Sequence, residues 1–357
     1  MPIADRENWY RELLGRAPFE LPLVNARMLA GKRIFVTGGA GSIGSELVRR
    51  VRQLNPAELI VFDNAEDRLY QLYREFRAKP GQPELILGDI NSVDELELAF
   101  TRHRPEIVFH AAAHKYVDFL ESQILAAVRT NVFGTRNVLA ASAVAGVECV
   151  VVLSSDKATN PASVLGATKR AAELMVLQTA APAVCSVRLC NVLGTAGSLL
   201  PLVLEQAERG VVTVTDNQAE RYFVAPNEAA QLLLSAAIAK EPGIFVPVNT
   251  SKLNIRNLVE KILRASNRTA MIQIVGLRPG EKQAEELYSN SEQLSAARAA
   301  GLLKVTKPVE QSTPLFVLLD RLEDAHSRRD ENAVIDALLT IVPEYKPSFA
   351  LRNSVTR

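Results

Sequence analysis

The chain has 357 residues, with 41 Lys+Arg against 40 Asp+Glu and 48% hydrophobic residues. This is long enough for a large α/β domain carrying an extra lobe. Nothing in this even charge balance favours nucleic acid or an anionic membrane surface, so an anionic ligand must be held by local groups rather than by a global field. Cys149, Cys185 and Cys190 lie in apolar, strand-like surroundings without ligand spacing, which predicts buried reduced thiols. The four histidines show no ligand cluster, and no metal is expected. The charged N-terminus lacks a signal-peptide core, and no apolar run approaches the ~18 residues of a membrane helix. The expectation is a cytoplasmic protein with no membrane segment.

Residues 1–30 read as an amphipathic helical arm. Short apolar strands then alternate with helical stretches: Arg33–Thr37, Glu58–Phe62, Leu85–Leu87, Ile107–Phe109, Val150–Leu153 and Ser186–Leu189. Strands without polar alternation, separated by helices, predict an α/β fold, a doubly wound parallel sheet of the Rossmann type. One long Ala-rich helix is predicted from about Gln123 to Ala145, with Asn131 and Gly134 in its middle. Helices follow at Leu200–Arg209, Glu228–Lys240, around Ile255–Leu263, and at Pro314–Arg328 and Asn332–Ile341, with a strand at Ile244–Val248. The division expected is a nucleotide-binding domain at 31–190, to which 218–250 returns. A smaller substrate-binding lobe takes 191–217 and 251–310, and 311–357 forms C-terminal helices and a tail.

Thr37-Gly38-Gly39-Ala40-Gly41-Ser42-Ile43-Gly44 follows the first strand and opens the first helix. Glycines there permit a tight turn, backbone approach to a pyrophosphate and close helix packing, while the helix N-terminus offers free N–H groups. Asp63 follows the second strand at the interval suited to an adenosine ribose, which favours NAD. Arg68 nearby can offset that carboxylate, so NADP stays open. Asp89, after the third strand, suits either the adenine edge or a turn. Farther on, Asp156-Lys157 directly follows a buried strand, and Leu165 shares a helix face with Lys169.

The motifs TGGAGSIG, His110–Val117, Thr130–Thr135, SSDKATNPASVLGATKR, Asn191–Gly194, Arg221–Phe223 and Gly276–Lys282 occur in that order. Together they resemble the extended short-chain dehydrogenases/reductases, and within them the CapD-like UDP-N-acetylglucosamine 4,6-dehydratases of polysaccharide biosynthesis. The resemblance runs from about residue 12 to 300. ELLGRAPFEL resembles what precedes the catalytic domain in long, membrane-anchored members, of which this chain resembles the soluble part.

The resemblance implies a tightly held cofactor, regenerated each turnover, contacted by Ile90, Ala111, Ala112, Asn131 and Lys169 besides the Gly-rich turn, Asp63 and Asp89. It implies transient C4 oxidation of a UDP-sugar, elimination of water across C5 and C6, and hydride return to C6. Asp156 is then the acid for the C6 hydroxyl, Lys157 the base at C5, and Ser155 a partner for the C4 hydroxyl. For these roles the aspartate must be raised in pKa and the lysine lowered toward neutrality. Arg221 and Arg278 suit the diphosphate, Lys115 and Asn191 the sugar or phosphate path, and Glu281 and Glu285 a ribose or an arginine. Leu165 stands where relatives generally carry the tyrosine that takes the C4 proton. That resembles the branch retaining configuration at C5, and leaves Asp156, Ser155 with a water, or Lys169 as the acceptor. A UDP-sugar epimerase and a non-catalytic nucleotide-sugar or NAD(H) sensor are the competing readings. A homo-oligomer is expected.

Overall fold

The computed structural model describes residues 3–179, 183–248, 250, 252–306 and 313–348. Strands β1 (Arg33–Thr37), β2 (Glu58–Asp63), β3 (Glu84–Leu87), β4 (Ile107–His110), β5 (Cys149–Ser155) and β6 (Val184–Leu189) alternate with helices. The later chain adds β7 (Asn191–Val192), β8 (Val211–Val214), β9 (Glu220–Val224), β10 (Gly243–Pro247), β11 (Lys252–Asn254), β12 (Met271–Ile274), β13 (Gln293–Ala296) and β14 (Leu302–Thr306). The main sheet runs β13-β14-β10-β6-β5-β4-β1-β2-β3. It is parallel from β3 to β10, and β14 and β13 extend it antiparallel.

Successive residues of one strand feed different cores, because side chains alternate across a sheet. Phe35, Val150 and Val152 face one hydrophobic cluster, whereas Ile34, Val36, Val151 and Leu153 face the other. Helices Ile124–Val128, Gly134–Val144 and Val164–Gln178 cover the first face, and the C-terminal pair Leu315–Ser327 and Glu331–Ile341 packs over them. Helices Ser42–Arg52 and Pro226–Ala239 cover the second face. The chain order reverses between β1 and β4, so ligands are expected beyond the carboxyl ends of these strands.

A third core joins Leu13 and Leu14 of the N-terminal helix to Leu200, Val203, Phe223, Val259 and Ile262. The arm is thus part of the lobe, and Arg16 fastens it with two bonds to the buried Glu228, at 2.7 and 3.1 Å.

Three regions differ from expectation. Residues 293–306, expected in the lobe, form β13 and β14 of the main sheet. β9, expected to return to the nucleotide-binding domain, pairs with β7 and β11 in a small sheet of the lobe. The long helix predicted from Gln123 to Ala145 is interrupted by a π-helical turn, Arg129–Phe133. The extra residue of such a turn is common at functional sites, and Asn131 lies within it. The tail from 349 onward lies outside the described residues. All three cysteines are buried and unpaired, and burial pushes the Cys149 thiol up to about 12.

Candidate active site

The Gly-rich turn leaves β1 and enters helix Ser42–Arg52 through Gly41 as N-cap. Gly38 has φ +65°, and a Cβ there would lie 2.4 Å from the backbone nitrogen of Ala112. A Cβ on Gly44 would lie 2.2 Å from the Gly38 carbonyl oxygen. Both positions therefore exclude side chains on the chain's own account, and they hold the turn against the β4 exit. A cavity beside it is lined by Gly38, Gly41, Asp63, Arg68, Asp89, Ile90, Ala111 and Ala112. Thr37 ends β1 before the turn, and Ser42, Ile43 and Gly44 open the helix that follows it. Asp63 is buried and accepts backbone N–H bonds from Ala40 (2.9 Å) and Ala65 (3.0 Å), so its carboxylate is fixed at the cavity wall. Asp89 accepts from the backbone and side chain of Asn91, at 2.9 and 2.8 Å, which makes it a turn residue that also lines the cavity. A dinucleotide's adenosine and pyrophosphate fit this set of free helix N–H groups, small residues and one oriented carboxylate.

Asn131 supports the cavity from the π-helical turn. Its Oδ1 accepts the His114 N–H at 2.9 Å, and its Nδ2 donates to the His114 carbonyl (3.2 Å) and to Thr168 (3.1 Å). Its role is to tie the 110–114 loop to the helix carrying Lys169. His110, which sequence reasoning passed over, sits between Thr37 Oγ1 (2.7 Å) and Thr135 Oγ1 (3.0 Å). Burial, with Lys169 nearby, pushes its pKa down to about 3, so it joins β1, β4 and the next helix as a neutral ring.

The second corner of the site lies at the end of β5. Ser155 ends the strand and caps a 3-10 turn, Asp156–Ala158, which turns Asp156 inward and Lys157 toward the lobe. Asp156 is fully buried. Its Oδ1 accepts from Ser155 Oγ at 2.9 Å and from Lys157 Nζ at 3.0 Å, while Oδ2 is buried without a partner. Lys157 also reaches Asn191 Oδ1 at 3.4 Å and lies 3.6 Å from Glu285 Oε1. Glu285 is itself 3% exposed, and its second oxygen lies 3.7 Å from Lys282 Nζ.

Burial raises the Asp156 carboxyl, as the acid role requires. Lys157 departs from expectation. Burial alone would lower it, but Asp156 and Glu285 on either side hold the ammonium above its ordinary value. The second carboxylate comes from a remote loop, and motif spacing carries no signal for it.

Lys169 lies on the helix Val164–Gln178, and its Nζ donates to the Leu153 carbonyl at 2.9 Å. Burial pulls its pKa down to about 8. Leu165, one turn earlier, is 3% exposed and belongs to the core between that helix and its neighbours. This helix is clamped to the sheet by a buried ion network. Glu173 accepts Arg188 Nε (2.8 Å), Arg188 Nη2 (2.9 Å), Arg170 Nη1 (2.9 Å) and Ser154 Oγ (2.7 Å). Arg188 continues to Glu292 at 2.8 and 2.9 Å, fixing the segment that follows Glu285.

The remaining predicted residues ring the cleft. Arg221 is buried, and its guanidinium donates to Glu281 Oε1 (2.8 Å) and the carbonyls of Glu220, Lys282 and Gln283, which folds the 281–285 loop against β9. As placed, it organises the loop that bears Glu285. Glu281 takes Thr215 Oγ1 as well, at 3.0 Å. Arg278 is half exposed and pairs with Asp118 at 2.9 Å across the cleft. Lys115 Nζ donates to the Ala196 carbonyl at 2.7 Å, and the Ala196 N–H donates to Ser42 Oγ at 3.2 Å, linking the lobe to the Gly-rich turn. Away from this edge, His103 lies between Glu58 (2.8 Å) and Glu84 (3.6 Å), a grouping not foreseen from the spacing of the histidines.

The sequence pattern of a family described as polysaccharide biosynthesis protein matches residues 34–307. The probable polysaccharide biosynthesis protein EpsC of Bacillus subtilis is 36% identical over 327 residues, 88% of this chain and 54% of that protein. The chain thus spans about half the length of this relative. Among solved structures, Pen from Bacillus thuringiensis is similar with TM-score 0.71 and 30% identity, covering 80% of this chain and 90% of Pen. MoeE5, solved with UDP-glucose and NAD, has TM-score 0.59 and 25% identity, covering 70% of this chain and 87% of MoeE5.

Proposed function

From the premise that the chain belongs to the polysaccharide biosynthesis protein family of extended short-chain dehydrogenases/reductases acting on nucleotide sugars, we propose that it is a 4,6-dehydratase. Its substrate is UDP-N-acetylglucosamine, and its product is the UDP-4-keto-6-deoxy sugar with C5 configuration retained. One observation carries this reading: an acid and a base, Asp156 and Lys157, stand side by side at the carboxyl end of β5, 3.0 Å apart, Asp156 fully buried and Lys157 partly so. Exchange of configuration at C4 alone needs neither group, which disfavours an epimerase. A sensor would need no such pair either.

The Gly-rich turn, Asp63 and Lys169 would hold NAD, and the chemistry it would supply there is reversible hydride acceptance. The chain's own groups move the protons. Ser155 Oγ takes the C4 hydroxyl proton while handing its own to Asp156 Oδ1, along the 2.9 Å contact between them. The C4 ketone acidifies C5–H. Lys157 removes that proton, and Asp156 gives its proton to the C6 hydroxyl, which leaves as water. Lys157 returns the C5 proton to the same face. The C4 hydroxyl proton thus ends in the released water, and the residues finish as they began. Leu165 has no proton to exchange, and this route needs none from it.

Incubation with UDP-N-acetylglucosamine in deuterated water, read by proton NMR, tests the reading. The expected product carries a C6 methyl group bearing the former C4 hydrogen, with C5 retained. A product inverted at C5, or a sugar changed only at C4, contradicts it.

A further inference from the structure

Lys157 poses a chemical difficulty for the reaction proposed above. A base at C5 must be a neutral amine, yet in the resting site its Nζ lies between two carboxylates, Asp156 Oδ1 at 3.0 Å and Glu285 Oε1 at 3.6 Å. Glu285 is 3% exposed, and its Oε2 is buried with no hydrogen-bond partner. A carboxylate in that condition is costly unless nearby cations or a proton compensate it. Lys282, 3.7 Å away, is partly committed elsewhere, because its Nζ donates to the Thr159 carbonyl at 2.7 Å. Burial pushes the Glu285 carboxyl up, but Lys157, Lys282 and Arg221 outweigh it and hold it below its ordinary value in the resting site, so Glu285 rests as a carboxylate with a lone pair to spare.

We propose that Glu285 takes up the Lys157 ammonium proton once the sugar is oxidised at C4, so that Lys157 meets C5–H as a neutral amine. The inference rests on the dehydratase reading and names the group that makes its base competent. In the resting site two carboxylates compete for one ammonium. When Asp156 receives the C4 proton through Ser155 it becomes neutral and releases its hold on Lys157. Glu285 is then the one carboxylate of the pair left beside Nζ. One N–H bond breaks and leaves its electron pair on nitrogen, and one O–H bond forms at Glu285 Oε1. The summed charge of Lys157 and Glu285 is unchanged, so the buried corner avoids the cost of a new isolated charge. The amine is unmasked at the moment when C5–H has become acidic, and Glu285 returns the proton at the end of the cycle. Glu285 acts through Lys157 and is a positioning residue.

The groups facing Glu285 are Asp156 and Lys157 from the turn after β5, Arg221 from β9, and Lys282 from its own loop. Glu286 adds to the field on Lys282. Two of the cations, Lys282 and Arg221, stay in place in a Glu285→Gln variant, and that glutamine keeps the shape of the side chain.

The test compares wild type, Glu285→Gln and Glu285→Asp. With UDP-N-acetylglucosamine, the glutamine variant is expected to lose roughly 100-fold or more in kcat near neutral pH, with KM nearly unchanged. Its rate should then climb with pH, as solvent takes over removal of the Lys157 proton. The aspartate variant should recover much of the rate without that climb. In parallel, the Lys157 titration is followed by NMR of ¹³Cε-labelled lysine in protein without substrate. Lys157 should deprotonate at lower pH in Glu285→Gln than in wild type, at the same pH at which that variant's activity climbs. A glutamine variant with a pH profile parallel to wild type, a loss confined to KM, or an unmoved Lys157 titration overturns the proposal. If wild type removes no water from the UDP-sugar, the dehydratase reading fails, and the Lys157 titration alone decides whether the two groups are coupled.

Discussion

The Gly-rich turn and the Asp156–Lys157 corner lie at one edge of the same sheet and are built in opposite ways. The turn is local: Gly38, Gly41 and Gly44 make their constraints within one contiguous stretch and against the adjoining β4 exit. Its chemistry comes from backbone N–H groups, so almost nothing distant can alter it. The corner is assembled from remote pieces. Asp156 and Lys157 follow β5, Asn191 begins β7, and Glu285 arrives on a loop that Arg221 and Arg188 pin down through Glu281 and Glu292. A binding site for a common cofactor tolerates a stock local solution. A site that must hold a proton on the right atom depends on the summed charge of every group around it.

That contrast predicts where perturbation is felt most. Replacing Lys157 with alanine removes the C5 base, and turnover should fall by about 10²–10⁴-fold, with NAD affinity unchanged in a direct binding titration. An equal loss of NAD affinity would show that the two regions are not separable. Arg188→Met leaves Glu173 and Glu292 buried without their shared partner, and should cost about 3–5 kcal/mol in urea unfolding. Because the network clamps the Lys169 helix and the loop beyond Glu285, activity should decline more than NAD binding. Gly44→Ala places a methyl against the Gly38 carbonyl, an overpacking of about 1–3 kcal/mol, so NAD affinity should drop while the pH dependence of Lys157 stays as in wild type.

The smallest effect concerns the join between the regions. His110 is held near 3, below its unfolded value, so the folded protein binds fewer protons than the unfolded chain between about 3 and 6.5. Its contribution to stability is present above that window and is lost as pH falls through it. Tm should therefore decline from pH 6.5 downward, and His110→Asn should flatten the decline. A variant with the wild-type slope would place the titration elsewhere.

The same contrast explains what could be read from the sequence. β1, β5 and the turn between β1 and its helix were legible because contiguous apolar runs and glycine spacing are local signals. The place of Asp156-Lys157 directly after β5 was legible for the same reason. The π-helical turn at Asn131 was not, since helical periodicity continues on both sides of one inserted residue. β13 escaped because Gln293–Ala296 is a short, largely exposed edge strand. Among the described residues it pairs only with β14, so it lacks the buried face that gives a strand its pattern. The direction of the Lys157 shift was missed because it depends on Glu285, whose place beside it is set by tertiary folding. Arg221 looked like a phosphate ligand by residue type, and in the fold three of its N–H donors go to the loop that delivers Glu285.

The corner after β5 is proposed to remove water from a nucleotide sugar. Mass spectrometry of UDP-N-acetylglucosamine after incubation with the purified protein and NAD tests it most directly. The expected product is lighter by one water. Substrate recovered unchanged, or an isomer of equal mass, would contradict it.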